Sequence, residues 1–188
     1  MSSDPSKAEM SQQQATTSDP TESNKKTDDL QPEDFYMGMA RLAEKFSRDP
    51  ETKVGAVIVS AEHNIVSVGY NGFPKGCKDD HPDLSWERRD KKNPNMNDKQ
   101  LYVVHAEADA IIKATKLDLE GAHIYTTLYP CNECAKLIIN AGIKKVHYLS
   151  NYKSHKKKYI VASNLLKIAG VTTVCTHKRN PKQIKLSF

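Results

Sequence analysis

The strongest constraint on this chain is a motif in two halves. His105-Ala106-Glu107 lies in the run VVHAEADAI, and Pro130-Cys131-Asn132-Glu133-Cys134 follows, with Cys131 placed 26 positions after His105. One imidazole nitrogen and two thiolates are a zinc-ligand set, and three protein ligands leave a fourth tetrahedral position open for water, the mark of a catalytic site rather than a structural one. Glu107 adds a carboxylate two residues from the histidine. Any fold that uses this set must bring two distant segments to one point.

Local rules suggest how. Cys131 and Cys134 are three apart at the expected start of a helix, so their thiols share a face, and a helix N-terminus favours the thiolate that zinc requires. His105 is expected to open a helix of its own, because Ala106, Ala108, Ala110, Ile111, Ile112 and Ala114 supply helix formers and an apolar face. Two adjacent parallel strands that deliver both helix starts to one sheet edge would make the ligands converge. The carboxyl edge of strands is where open α/β sheets place their sites.

The rest of the chain supports such a sheet. Phe35, Met39, Leu42, Ala43 and Phe46 fall on one face of an amphipathic helix that ends at Asp49-Pro50. The runs 54–59 and 65–68 read as a hairpin of two core strands around a turn at Glu62-His63-Asn64. The turn Gly69-Tyr70-Asn71-Gly72-Phe73-Pro74-Lys75-Gly76-Cys77 holds three glycines and a proline, and a long polar loop from Lys78 to about Gln100 follows. Trp86 is expected to anchor that loop. Strands over 124–128, 145–149 and 171–175 alternate with helices over 131–141 and 157–168. The order α-β-β-α-β-α-β-α-β predicts an α/β fold, a three-layer α-β-α sandwich around a mixed five-stranded sheet.

Composition bounds the remainder. In 188 residues, positions 1–32 read as a disordered polar tail, 33–176 as one catalytic domain and 177–188 as a basic tail. The first segment carries three lysines against six carboxylates, which leaves +8 of charge on the body of a chain that is +5 in all. A basic body suits a phosphorylated substrate or a nucleic acid, and the run Lys156-Lys157-Lys158 is most simply a solvated helix face. No leader or membrane span is expected, so the cytoplasm is the default compartment, with the nucleus open. Four cysteines without an export signal argue against disulfides.

H-x-E answered by P-C-x-x-C is the signature of zinc-dependent nucleobase deaminases. The sequence also contains Asp49-Pro50 followed by Lys53-Val54-Gly55-Ala56, then GYNGFPKGCKDD at 69–80, HAEADAI at 105–111 and YPCNECAKLIINAGIKKV at 129–146. In that order these stretches resemble the deoxycytidylate deaminases of the cytidine deaminase superfamily. The resemblance covers roughly 35–176, and the GYNG-x-P-x-G-C stretch narrows it from superfamily to family.

The resemblance implies one catalytic zinc per chain, held by His105, Cys131 and Cys134, whose activated water attacks C4 of dCMP while Glu107 shuttles protons. The product would be dUMP, which supplies thymidylate synthesis. It implies Asn71 at the sugar 3′-hydroxyl and Ala106 at the substrate. Lys53, Ser47 and Lys116 are phosphate candidates, and Tyr152 is the aromatic of the base pocket. It further implies a homo-oligomer, often a hexamer, activated by dCTP and restrained by dTTP, with magnesium accompanying the nucleotide and Gly69, Tyr70 and Gly72 in the regulatory site. The family usually has asparagine where this chain has Asp109, and a carboxylate beside an anionic substrate costs affinity unless it is paired or turned away. Cys77 with His81, or Cys175 with His177, could join a second zinc site but read better as bystanders. A tRNA adenosine deaminase shares the zinc motif but lacks support from the GYNG turn, so nucleic acid is not the expected substrate. A zinc-binding regulatory homologue without turnover is the non-enzymatic alternative.

Overall fold

The computed structural model describes residues 30–87, 98–114 and 118–176. The tails expected at 1–32 and 177–188 therefore lie outside it, apart from Leu30 to Pro32, and so does Lys116. Helix α1 (Pro32–Ala43) opens on a proline and runs into a 3-10 turn at Glu44–Phe46. Strands β1 (Gly55–Val59) and β2 (Ile65–Tyr70) form the expected hairpin, paired antiparallel. Then come α2 (Lys99–Tyr102), α3 (Ala106–Lys113), β3 (His123–Leu128), α4 (Asn132–Asn140), β4 (Lys145–Ser150), α5 (Lys157–Ile168) and β5 (Thr172–Cys175). The short helix α2 interrupts what the sequence presents as loop.

The sheet is mixed, in the order β2-β1-β3-β4-β5. β1 runs antiparallel to both β2 and β3, whereas β3, β4 and β5 are parallel. This corrects the picture of two adjacent parallel strands feeding the site, because β1 separates β2 from β3. It also qualifies the reading of two core strands. β1 is buried along its whole length, but β2 is an edge strand whose burial alternates.

Two cores flank the sheet. Ala56 and Ile58 of β1, with Ile124 and Val146, pack against α3, α4 and α5, while Val57, Val59 and Tyr125 face α1. Side chains alternate across a strand, so one apolar run serves both layers. The three-layer sandwich follows. The face of α1 differs from expectation: Tyr36, Met37, Ala40 and Ala43 are buried, while Phe35, Leu42 and Phe46 are exposed. Tyr36 secures this rotation by donating to the His63 carbonyl at 2.7 Å and packing its ring on Tyr125. No helix among the described residues is long and apolar enough to cross a membrane.

Gly69 sets how closely α3 approaches the sheet. A Cβ there would collide with the Ala106 carbonyl and the Ala110 amide, and beside it Ser67 donates to the Ala110 carbonyl at 2.8 Å. Packing thus explains this glycine, and the helix it admits is the one that starts at His105. Gly69→Ala is expected to cost about 1–3 kcal/mol as overpacking. Urea unfolding would measure this, and a shift of α3 should lower the affinity of the His105 site for metal in the same variant.

Candidate functional site

Three local devices assemble the site. His105 and Cys131 are the N-cap residues of α3 and α4, both with extended backbone, and neither side chain caps its own helix. Their ring and thiol are thus available to a ligand. The isolated bridge Gly72–Val104, with hydrogen bonds of 3.1 and 2.8 Å in both directions, clamps the segment before His105 to the turn after β2. Cys134, one turn into α4, faces the same point.

His105 Nδ1 lies 3.4 Å from Cys131 Sγ and 3.3 Å from Cys134 Sγ, and the three ligand atoms all fall within 4.8 Å of one another. Tetrahedral zinc with ordinary bond lengths holds nitrogen and sulfur about 3.5 Å apart. The trio fits that ion. Among the described residues it is the only group of three or more such side chains, so Cys77 and His81 join none; His177 lies outside the described residues.

The electrostatics agree. The adjacent Cys134 thiol, stronger than the opposing burial and assisted by His105, holds Cys131 at about 3. The neighbouring Cys131, together with burial, pushes Cys134 well above the usual thiol range. The hydrogen bond to Cys131 raises His105 against the effect of burial. One thiol ionises easily, and the second needs further positive charge, which a divalent cation provides. Glu107 is buried beside them, its Oε2 accepting from Cys134 at 3.5 Å. Burial pushes its carboxyl up, with His105 opposing.

A cavity opens over this group, lined by His105, Ala106, Glu107 and Cys131 on one side. Asp49, Thr52 and Asn71 form a second wall. Asn71 donates to the Thr52 carbonyl at 2.9 Å and, at 3.5 Å, to Asp49, and its carbonyl accepts from the Val54 amide at 2.7 Å. Lys99 of α2 is buried there and bonds Asp49 at 2.7 Å and Glu51 at 3.1 Å. Burial alone would raise the Asp49 carboxyl. The Lys99 ammonium and the amides of Thr52 and Glu51 outweigh it and hold it below the usual range. Tyr129, Lys153, Lys156, Lys158 and Tyr159 also line it, and burial pushes the Tyr159 hydroxyl up.

Several sequence-based candidates fall elsewhere. Ser47 is buried and accepts from the Asp49 amide at 3.3 Å, and Lys53 is exposed; neither lines the cavity. Tyr152 is 60% exposed and outside the lining, with its ring 5.0 Å below the Lys153 ammonium. Asp109 faces the β2 edge, where it accepts from the Tyr70 amide at 3.1 Å and pairs with Lys113 at 2.6 Å. It is neutralised and turned away from the cavity. Tyr70 stacks on Phe46 at 5.7 Å, and Trp86 packs on Phe73 at 4.2 Å. Sequence reasoning missed Lys99, Lys153 and Tyr159. A lysine in a polar loop carries no local sign of burial, though the aromatic Tyr159 beside a lysine run was a usable hint.

Residues 30–150 match the family model described as the cytidine and deoxycytidylate deaminase zinc-binding region. A protein of Mus musculus named deoxycytidylate deaminase is 46% identical over 164 residues, covering 86% of this chain and 88% of the relative. One of Drosophila melanogaster, named probable deoxycytidylate deaminase, is 44% identical over 153 residues, covering 80% and 74%. The dCMP deaminase of cyanophage S-TIM5, solved in complex with dCMP and dUMP, superposes with a TM-score of 0.60 at 28% identity, covering 79% of this chain and all of that one.

The Asp49–Lys99 pair is nearly dry, with side chains 4% and 5% exposed. Lys99→Met leaves a buried carboxylate unpaired and is expected to cost about 3–5 kcal/mol at pH 7. Since the Asp49 carboxyl is depressed in the folded state, its contribution is complete above about pH 4 and is lost as pH falls through the folded value. Urea titrations of wild type and Asp49→Asn at falling pH should show the gap between them closing.

Proposed function

This chain is a member of the cytidine and deoxycytidylate deaminase family, and from that premise we propose that it converts dCMP and water to dUMP and ammonia. The observation that carries the reading is the convergence of His105, Cys131 and Cys134 beside the buried Glu107, with His105, Glu107 and Cys131 lining one cavity. Relatives named deoxycytidylate deaminase at 44% and 46% identity support the substrate. Zinc held by the three side chains supplies the Lewis acidity that makes water a nucleophile at neutral pH.

Glu107 carries the protons. In the proposed reaction its carboxylate accepts a proton from the attacking water and delivers it to N3 of the cytosine ring. It then takes the remaining proton of the new C4 hydroxyl and passes it to the amine, which leaves as ammonia as the C4 carbonyl forms. One C–O bond forms and the C–N bond breaks. Burial raises this carboxyl above the usual carboxylate range, with His105 opposing, which makes it a stronger proton acceptor than a surface glutamate. Asn71 takes the sugar hydroxyl. Both its N–H groups are engaged, but among the described residues its carbonyl oxygen accepts only from Val54 and has a second lone pair. Ala106, at the first turn of α3, contributes to the wall of the same cavity.

The proposal extends to control: a homo-oligomer of the hexameric kind, activated by dCTP and inhibited by dTTP with magnesium, with Gly69, Tyr70 and Gly72 at the regulatory site. Its support is the family resemblance and the exposed apolar strip of Phe35, Leu42, Phe46 and Tyr70. A rate curve that neither nucleotide moves would contradict that extension.

Purified protein should contain about one zinc per chain and release ammonia from dCMP in preference to CMP, dCTP, deoxycytidine and tRNA. Glu107→Ala should retain zinc and lose about 10²–10⁴-fold in kcat. Turnover surviving in that variant, or a preference for tRNA, would overturn the reading.

A further inference from the structure

Two lysines in the cavity are buried, and they are treated differently. Lys99 has Asp49 and Glu51 as counterions. Lys153 is 9% exposed, lines the same cavity, and its ammonium makes no hydrogen bond or ion pair among the described residues; its one described partner is the face of the Tyr152 ring at 5.0 Å. Its aliphatic stem is what is buried, while its ammonium, which is not among the enclosed unpartnered atoms of the described residues, opens onto the cavity. A ring face on one side leaves the ammonium's hydrogen-bond donors unused.

The surroundings sharpen the point. Lys156, the N-cap of α5, and Lys158 in its first turn also line the cavity. No side chain caps this helix, and its first turn contains no acidic residue. Lysines at a helix N-terminus oppose the helix dipole, whereas an anion there is favoured. Among the described residues Lys158 reaches Gln100 Oε1 at 3.4 Å and the face of Tyr159 at 5.5 Å and no carboxylate. Local stability is thus given up in one place. The place faces the same space as Glu107.

We propose that Lys153, with Lys156, Lys158 and the uncapped start of α5 around it, is the anion-recognition residue that makes this cavity select a nucleoside 5′-monophosphate over the free nucleoside. The inference rests on the proposed deamination of dCMP and adds the group that sets its substrate class. A doubly charged phosphate supplies the acceptor that Lys153 lacks, and Lys156 and Lys158 on the same lining add positive charge that favours an oxyanion there. Tyr152 then has a place as well, as the ring that supports the ammonium from below. Lys53 and Ser47, the candidates from sequence, lie outside this lining.

The test compares wild type, Lys153→Met and Lys153→Arg with dCMP and deoxycytidine as substrates, and melts each protein with and without inorganic phosphate. Lys153→Met is expected to raise KM for dCMP on the order of 30-fold and to lower the dCMP-to-deoxycytidine ratio of kcat/KM to match, as for loss of one charged hydrogen bond. Lys153→Arg should restore most of the KM. In phosphate-free buffer Lys153→Met should melt no lower than wild type, because the cation removed has no protein counterion. Phosphate should raise the melting temperature of wild type more than that of the variant. An unchanged dCMP KM, an equal phosphate shift, or a melting temperature lowered in phosphate-free buffer overturns the inference. Wild type that leaves dCMP intact instead overturns the activity reading, and the phosphate shift still decides whether Lys153 binds the anion.

Discussion

His105 and Cys131 stand at the first positions of two helices, and the structure depends on those helix starts meeting. A thiolate at a helix N-terminus and a nearby imidazole stabilise each other only at short range, and here the ring nitrogen lies 3.4 Å from the sulfur. Everything around them serves that approach. β3 delivers Cys131 through Pro130, Gly69 lets α3 lie against β2, and the Gly72–Val104 bridge fixes the chain just before His105. The parallel strands β3, β4 and β5 build the floor on which α4 and α5 sit.

The same constraint explains the concentration of buried charge on one side of the molecule. Asp49, Lys99, Glu107 and Lys153 are all below a tenth exposed and all border one cavity. In an ordinary core such groups would be replaced by apolar residues of similar volume. Two of the four neutralise each other. Glu107 is relieved by staying protonated more readily than a surface carboxyl, and Lys153 is left to a ligand.

Much of this was legible in the sequence, for reasons that can be named. The zinc trio and Glu107 were readable because metal ligands must occur as particular residue types at helix-compatible spacings. The five strands and the α1, α3, α4 and α5 helices followed from periodicity and from punctuation by Pro and Gly. Strand order was not, because a β1 lying between β2 and β3 leaves no trace in linear order. The face of α1 was misjudged because apolar size pointed to Phe35 and Phe46, whereas close packing on Gly55 called for small Ala40. Lys156 and Lys158 resembled a solvated face since a run of lysines does not reveal which side of the helix start a cavity occupies. In sequence Asp109 conflicts with an anionic substrate, whereas in the fold its pairing with Lys113 and its position on the β2 edge remove the conflict.

Zinc-edge X-ray absorption on the purified protein decides whether His105, Cys131 and Cys134 hold a zinc ion with a fourth position left open. The expected first shell is one imidazole nitrogen at about 2.0 Å, two sulfurs at about 2.3 Å and one light oxygen ligand. A closed shell of four nitrogen and sulfur ligands, or a shell of oxygens without sulfur, would contradict it.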